Sequence, residues 1–171
     1  ALALVANGIA KPGSIGLHAA PMFHLADFAL LNAMLTHGST HVILPGFEPL
    51  TVLKTLQDER ISEVILVPTM IQMLVDHPQA GDFDLSHLQM LLYGASPISE
   101  ALLKRAMALL PNAGLLQAYG MTELAPLATL LLPQDHHIES KIRSAGRAGL
   151  CADVRIVDEN DQELPRGQVG E

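Results

Sequence analysis

The sequence predicts an α/β fold, a mostly parallel sheet flanked by helices with a β-rich C-terminal part. Short apolar runs alternate with segments of helical periodicity along residues 1–126, and prolines and glycines separate many of them. Strands that are apolar along their whole length are typical of a parallel sheet that helices cover on both faces. Beyond residue 126 the helical periodicity fades, which indicates that the C-terminal part is built from strands.

The first half of the chain predicts three strands and two helices in alternation. In chain order they are a strand at 14–20, a helix at 23–36, a strand at 40–44, a helix at 49–60 and a strand at 63–67. Proline or glycine lies at or beside most of these boundaries, which favours a turn there.

In the second half, helices and strands alternate up to the strand at 115–118, and only strands are predicted after it. The predicted segments are a helix at 68–76, a strand at 89–93, a helix at 99–110, strands at 115–118, 127–132 and 152–157, and a charged hairpin turn at 158–161. Within the helices, Thr69 and Ser99 are predicted N-caps, because their hydroxyls can accept hydrogen bonds from free backbone N–H groups. Leu50, Leu53 and Leu56 share one face of their helix, which predicts that this face is buried.

The composition fits one domain, or a substantial part of a larger one, and excludes several classes of protein. Hydrophobic residues make up 49% of the 171 residues and charged residues 16%, which supports a packed core and not disorder. The formal charge of −8, with ten basic residues spread along the chain, excludes a nucleic-acid-binding surface. The apolar residues 1–10 are too few to span a bilayer, so we expect no transmembrane segment.

The chain has one cysteine, Cys151. A single cysteine rules out an internal disulfide framework and is typical of a reducing, cytoplasmic environment. We predict that Cys151 is a small buried residue and not a reactive thiol.

Three polar turns follow apolar strands. They are Pro-Met-Phe-His at 21–24, Gly-Ala-Ser-Pro at 94–97 and Tyr-Gly-Met-Thr-Glu at 119–123. In open parallel sheets, ligands bind outside the carboxyl ends of the strands, where these turns are expected to lie. The turns are therefore the candidate site.

The third turn combines groups that suit a nucleotide. The ring of Tyr119 can stack on a base, and Gly120 lets the backbone come close to a ligand. The hydroxyl of Thr122 can contact a phosphate, and the carboxylate of Glu123 can hold Mg²⁺ beside it. The same residues also form ordinary structural turns, so the residues alone leave both interpretations open.

The three turns together resemble motifs of the adenylate-forming superfamily, which includes acyl-CoA synthetases, luciferases and peptide-synthetase adenylation domains. Residues 119–123 resemble its Tyr-Gly-x-Thr-Glu core motif, residues 21–24 its Pro-x-Phe-His segment, and residues 94–97 its adenine-side turn. Their order and spacing agree with the family. Residues 143–147 and 164–171 resemble the segments that follow, so the resemblance covers almost the whole chain.

This resemblance implies a nucleotide side and an acyl side. The nucleotide side would bind ATP or AMP through Gly94, Ala95, Ser96, Pro97, Tyr119, Gly120 and Thr122. Tyr119 would stack on adenine, and Thr122 and Glu123 would be catalytic, with Thr122 on phosphate and Glu123 on Mg²⁺. The acyl side would consist of Phe23, His24, Met121 and Gly146, with His24 also catalytic beside the acyl carboxylate.

The activity implied by the resemblance is that of an AMP-forming acyl-CoA synthetase. A carboxylate, with a fatty or aromatic acid as the leading expectation, attacks ATP to give acyl-AMP and pyrophosphate, and coenzyme A then takes the acyl group. The chain resembles an interior part of the large N-terminal AMP-binding domain, with residues 1–126 in strand–helix units and residues 127–171 β-rich. A lysine-bearing phosphate loop and the family's C-terminal catalytic lysine have no counterpart in these residues. We therefore expect the isolated chain to bind nucleotide weakly, to be inactive and to self-associate.

Two alternatives stay open at this stage. One is a non-catalytic α/β binding or regulatory module; the other is a different superfamily member, either a peptide-synthetase adenylation domain or a luciferase-like enzyme. A dinucleotide-dependent oxidoreductase is excluded, because no Gly-x-Gly-x-x-Gly follows a strand.

One residue departs from the family pattern. Three places after the motif histidine, many relatives have a small residue, often glycine, whereas this chain has Asp27. The acid indicates either a polar substrate or a solvent-facing charge near a helix start, and we favour the second because an acid is stabilised at a helix N-terminus.

Overall fold

The computed structural model describes residues 2–171, which form five helices and one seven-stranded sheet. The helices are α1 (Leu2–Ala6), α2 (Leu25–Thr36), α3 (Pro49–Asp58), α4 (Pro68–Asp76) and α5 (Glu100–Leu109). The strands are β1 (Ile15–His18), β2 (Thr40–Ile43), β3 (Glu63–Leu66), β4 (Met90–Gly94), β5 (Gly114–Tyr119), β6 (Thr129–Leu131) and β7 (Arg147–Ala148). Among the described helices, none is long and apolar enough to cross a membrane.

The sheet confirms the predicted fold class. Its strand order is β2-β1-β3-β4-β5-β6-β7. The first five strands in this order run parallel, and β6 and β7 join the far edge antiparallel. The carboxyl ends of β1, β3, β4 and β5 therefore meet at one edge of the sheet, which is the edge expected to carry the site.

Two apolar clusters cover the two faces of the sheet. The larger packs α3, α4 and α5 against one face, and the smaller packs α1 and α2 against the other. Residues of one strand divide between the clusters, since Leu91 belongs to the larger and Leu92 to the smaller. This alternation is why β4 is apolar along its whole length.

The helix starts confirm one predicted cap and correct another. The hydroxyl of Ser99 accepts a hydrogen bond from the backbone N–H of Leu102 at 3.2 Å, as an N-cap does. Thr69 is not an N-cap, because Pro68 already occupies the first turn of α4 and Val67 precedes it. In α3, Leu53 and Leu56 are buried as predicted.

Leu50 is 38% exposed, and Val52 takes its predicted place on the buried face of α3.

The C-terminal part contains less regular structure than the sequence predicts. The predicted strand at 127–132 is present as β6, but the strand predicted at 152–157 is wrong. That segment is irregular except for one β-bridge between Val157 and Glu163, which closes the predicted charged turn. The prediction for Cys151 is also wrong, since its side chain is exposed.

Candidate active site

A cavity of about 420 Å³ opens at the carboxyl edge of the sheet. It lies over the ends of β1, β3, β4 and β5, with α2 forming one wall. Its walls include residues from the first and third predicted turns and the start of the second, namely Pro21, His24, Gly94, Ala95, Tyr119, Gly120, Met121 and Thr122. The fold thus brings together segments that lie about a hundred positions apart in the chain.

The turn after β4 is shaped by backbone crowding. A Cβ on Gly94 would overlap the carbonyl oxygen of Ala118 on the neighbouring strand, so a glycine is required there. Ala95 then adopts a left-handed conformation with φ of 66°, which turns the chain away from the sheet. Ser96 and Pro97 follow on the exposed outer part of the turn, outside the cavity wall.

The turn after β5 places an aromatic ring at the cavity mouth. Tyr119 is the last residue of β5 and is 51% exposed, so one face of its ring is free to meet a planar ligand. A Cβ on Gly120 would overlap the carbonyl oxygen of Pro126, so this position also requires glycine. Met121 is half exposed and lies in the wall beside the ring.

Thr122 and Glu123 lie on a short 3₁₀ turn next to this ring. Thr122 belongs to the cavity wall, whereas Glu123 is exposed and lies outside it. Within residues 2–171, no three or more histidines, cysteines or acids cluster in a way that could hold a metal ion. Glu123 therefore does not belong to a cluster of protein ligands of that size.

The loop between β1 and α2 forms the opposite wall. His24 is the residue before the first turn of α2, and its side chain makes no capping hydrogen bond, so the imidazole is available to a ligand. Phe23 is 85% exposed and lies outside the cavity wall, with its ring centroid 4.9 Å from that of His24. Pro21 and His24 are the parts of this turn that contribute to the wall.

Gly146 lies away from the cavity. Its φ of +87° is left-handed, and a Cβ there would overlap the backbone of Leu130 and Leu131. The structure accounts for this glycine by the close approach of the chain before β7 to β6.

Asp27 is buried and does not face solvent, contrary to the favoured sequence-based prediction. It is 0% exposed, and both of its carboxylate oxygens lie 3.1 Å from Nδ1 of His18, at the end of β1. Nε2 of His18 lies 2.9 Å from Nδ1 of His41 on β2. Periodicity could not reveal these contacts, because they join three elements that are separate in the chain.

Sequence reasoning also missed the apolar residues after β3. Val67 and Met70, at the start of α4, line the cavity between the nucleotide-side turn and the acyl-side loop. The signal for these residues was a proline that starts a helix directly after a buried strand. Such a helix begins at the carboxyl edge of the sheet, where the cavity lies.

Tyr93 supports the cavity from beneath. Its hydroxyl lies 2.8 Å from Nε2 of His136, whose Nδ1 lies 2.9 Å from the carbonyl oxygen of Leu132. Because that carbonyl can only accept, Nδ1 of His136 carries the proton and Nε2 accepts from Tyr93. Burial raises the pKa of Tyr93 and lowers the pKa of His136, so both stay neutral near pH 7.

Comparison with known proteins gives one family. The sequence model of the family described as AMP-binding enzyme matches residues 2–171. A medium/long-chain-fatty-acid–CoA ligase of Mycobacterium tuberculosis is 34% identical over 151 residues, covering 88% of this chain and 26% of that protein. A feruloyl-CoA synthase of an Amycolatopsis species is 37% identical over 158 residues, covering 91% of this chain and 31% of that protein.

A solved structure shows the same fold. The amide bond synthetase McbA from Marinactinospora thermotolerans superimposes with a TM-score of 0.88 at 31% identity, over 99% of this chain and 34% of that one. The chain therefore spans about a third or less of the length of these relatives.

Proposed function

Because this chain belongs to the AMP-binding enzyme family, we propose that it supplies the adenine-binding and acyl-binding walls of an AMP-forming carboxylate–CoA ligase. The enzyme activates a carboxylic acid with ATP and passes the acyl group to coenzyme A. The chain corresponds to an interior part of the N-terminal domain of that enzyme, which works in the cytoplasm, where ATP and coenzyme A are found.

One observation carries the proposal. Gly94, Ala95 and Tyr119, which the family resemblance assigns to the nucleotide, share a single cavity with His24 and Met121, which it assigns to the acyl group. A reaction that joins a carboxylate to the α-phosphate of ATP needs both substrates in one space with their reacting atoms close together. A purely regulatory nucleotide site does not require the second set of residues.

The first reaction joins the acid to the nucleotide. A carboxylate oxygen forms a bond to the α-phosphorus of ATP, the bond from that phosphorus to the bridging oxygen breaks, and pyrophosphate leaves with the electron pair. Tyr119 holds the adenine by stacking, and the hydroxyl of Thr122 donates a hydrogen bond to phosphate oxygen. His24, on the opposite wall, orients the acyl carboxylate for in-line attack.

The second reaction forms the thioester. The thiol sulfur of coenzyme A bonds to the acyl carbon, the bond between that carbon and the AMP oxygen breaks, and AMP leaves. The thiol proton passes to solvent. The cavity walls keep the acyl group in place between the two steps.

Glu123 fits a magnesium ion that arrives with the nucleotide. Mg²⁺ is commonly held by one or two carboxylates together with substrate phosphates and water, and does not need a cage of protein ligands. Glu123 offers one exposed carboxylate next to Thr122. When bound, the ion would neutralise charge on the phosphates.

The acyl group that suits this cavity is apolar. Its walls away from the nucleotide side are aliphatic, formed by Leu4, Ala29, Ile65, Leu92 and Leu127. The one acid in the wall, Asp27, is 0% exposed, and both of its oxygens face Nδ1 of His18 and not the substrate space. We infer a fatty or aromatic acid, in keeping with the names of the fatty-acid and feruloyl relatives.

The isolated chain is also proposed to self-associate. Phe23, Leu150 and Val169 present large exposed apolar side chains. Gel filtration over a range of concentrations tests this: elution as a monomer at every concentration would contradict it.

The test of the function is a pyrophosphate-release screen of the full-length protein against a panel of fatty, aromatic and short polar acids. We expect release with ATP, Mg²⁺ and an apolar acid, and acyl-CoA when coenzyme A is added. The 171-residue chain alone serves as the comparison and should release none. Absence of release by the full-length protein with every acid would overturn the proposal.

A further inference from the structure

Two buried side chains, His18 and Asp27, and the half-buried His41 close the base of the loop that carries His24. His18 is the last residue of β1 and Asp27 lies in the first turn of α2, so their contact ties together the two ends of the loop at 19–24. His18 is 1% exposed and Asp27 0%. Through His41 the chain of contacts continues to β2, the edge strand.

The neighbouring groups indicate where the protons lie. Burial lowers the pKa of His41, so His41 is neutral at pH 7. Nε2 of His41 is buried without a hydrogen-bond partner. If that nitrogen carried the proton, a buried N–H would be left unpaired, which is costlier than an unpaired lone pair. Nδ1 of His41 therefore donates to Nε2 of His18, and Nδ1 of His18 donates to Asp27.

This arrangement is not explained by stability alone. A buried carboxylate loses its hydration, and well-packed apolar side chains in the same volume are often as stable or more so. The buried polar contact does provide direction, because it fixes the position of one element against another. Asp27 fixes α2 against β1 at the point where the helix begins.

His24 lies in the same helical turn as Asp27. The carbonyl oxygen of His24 accepts a hydrogen bond from the backbone N–H of Phe28 at 3.1 Å, and the side chains of His24 and Asp27 both contribute to the cavity wall. A shift of Asp27 therefore shifts His24.

We propose that Asp27 is a positioning residue for the acyl substrate: held by His18, which His41 contacts in turn, it fixes the first turn of α2 and with it the place of His24 in the cavity. The proposal rests on the function proposed above. It gives this chain an acyl-side support that a glycine at the same position cannot provide, since glycine has no side chain with which to contact His18.

The test compares Asp27→Ala with Asp27→Asn in the full-length enzyme. Asparagine keeps an oxygen that can accept from Nδ1 of His18, and alanine removes it. For Asp27→Ala we expect kcat/KM for the carboxylic acid to fall about tenfold or more, because small displacements of a positioned group cost large factors in rate. The KM for ATP should stay within about twofold, and Asp27→Asn should recover most of the loss.

Glu63→Ala is the matched control. Glu63 is also a buried acid beside β1, but at the opposite end of that strand, where its Oε1 lies 2.6 Å from the hydroxyl of Ser14. Its removal should lower the free energy of unfolding and leave kcat/KM for the acid within about twofold of the parent value. An equal fall in the acid kcat/KM in folded Glu63→Ala and Asp27→Ala would overturn the proposal.

A second measurement, on the full-length protein, does not depend on activity. Amide hydrogen exchange at Phe28 should accelerate in Asp27→Ala relative to the amides of β4, return toward the parent rate in Asp27→Asn, and stay unchanged in Glu63→Ala. If the full-length parent makes no pyrophosphate with any acid, the proposed function fails and exchange at Phe28 alone decides the positioning role. Unchanged exchange at Phe28 in a folded Asp27→Ala variant overturns the positioning role. If Asp27→Ala does not fold, a His18→Asn variant is measured instead, and an unchanged acid kcat/KM together with unchanged exchange at Phe28 overturns the role.

Discussion

The two sides of the cavity are built in different ways. On the nucleotide side, Gly94 and Gly120 allow backbone segments to approach so closely that a Cβ at either position would overlap a carbonyl oxygen. On the acyl side, the loop that carries His24 is held by side chains from three separate elements, in which His18 contacts both Asp27 and His41. Local backbone geometry leaves a mark in a short motif, whereas contacts between distant side chains leave none. This difference is why both glycine turns and the segment of His24 itself are recognisable in sequence, whereas the buried contacts that hold this segment are not.

The largest expected effect is on the nucleotide side. Glu123→Gln in the full-length enzyme should lower kcat for pyrophosphate release by about 10²–10³-fold, the usual loss when one well-placed electrostatic group is removed. The acid preference should not change, because Glu123 lies away from the acyl wall. Full turnover at saturating Mg²⁺, or a changed order of preferred acids, would contradict this division of roles. Circular dichroism of the variant controls for folding.

Tyr119→Ala should affect binding more than chemistry. The substitution removes a stacking face and no group near the reacting atoms, so KM for ATP should rise by a factor that corresponds to about 1–3 kcal/mol, by analogy with bases stacked on aromatic side chains. Tyr119→Phe keeps the ring and should retain most of the affinity. If kcat falls while KM for ATP is unchanged, Tyr119 is not the stacking residue.

The stability that His136 contributes beneath the cavity should depend on pH. The folded state holds His136 with a lowered pKa, so the unfolded chain, with the ordinary histidine pKa of about 6.5, binds the proton more readily. The stability that His136 contributes is present above about pH 6.5 and is lost as pH falls through the lowered pKa of the folded state. Urea unfolding between pH 5 and 8, about the range in which histidine titrates, should show this decline, and His136→Gln should reduce it.

His137→Gln is the control for that titration, because His137 is the exposed neighbour of His136. It should leave most of the decline seen in the parent chain, because burial is the largest cause of the lowered pKa of His136 and His137 is a smaller one. A His136→Gln variant whose stability falls with acid as steeply as the parent's would show that His136 does not contribute.

The smallest expected effect lies outside the cavity and tests how far local sequence patterns can be trusted. Ser99→Ala should lower the free energy of unfolding by about 1 kcal/mol, as is usual for the loss of an N-cap. Thr69→Ala should change it by less than about 0.5 kcal/mol, because Thr69 is exposed and does not cap α4. Thermal or urea unfolding of the two variants side by side decides this, and equal losses would be contrary to the structure.

Sequence patterns predicted the alternation of strands and helices because each pattern depends on neighbours in the chain. The cap at Ser99 and the turn beginning at Tyr119 are of this kind. The errors have a different origin: Val52 replaces Leu50 on the buried face of α3 because tertiary packing decides which way the helix faces. Asp27 is buried because its partner, His18, lies across the sheet–helix boundary, and no local rule for a helix start includes such a partner.

Chain direction first reverses within the sheet between β5 and β6, where Tyr119 pairs with Thr129. The other cavity-lining turns lead into crossover helices, so a change in their length would displace a helix. The segment after Tyr119 instead connects two adjacent antiparallel strands. Its middle part, at Leu124 and Ala125, is exposed. An insertion there adds only a small loop-closure entropy and leaves both strands paired. The nucleotide side thus contains a place where the chain can lengthen while the aromatic ring stays fixed at the cavity mouth.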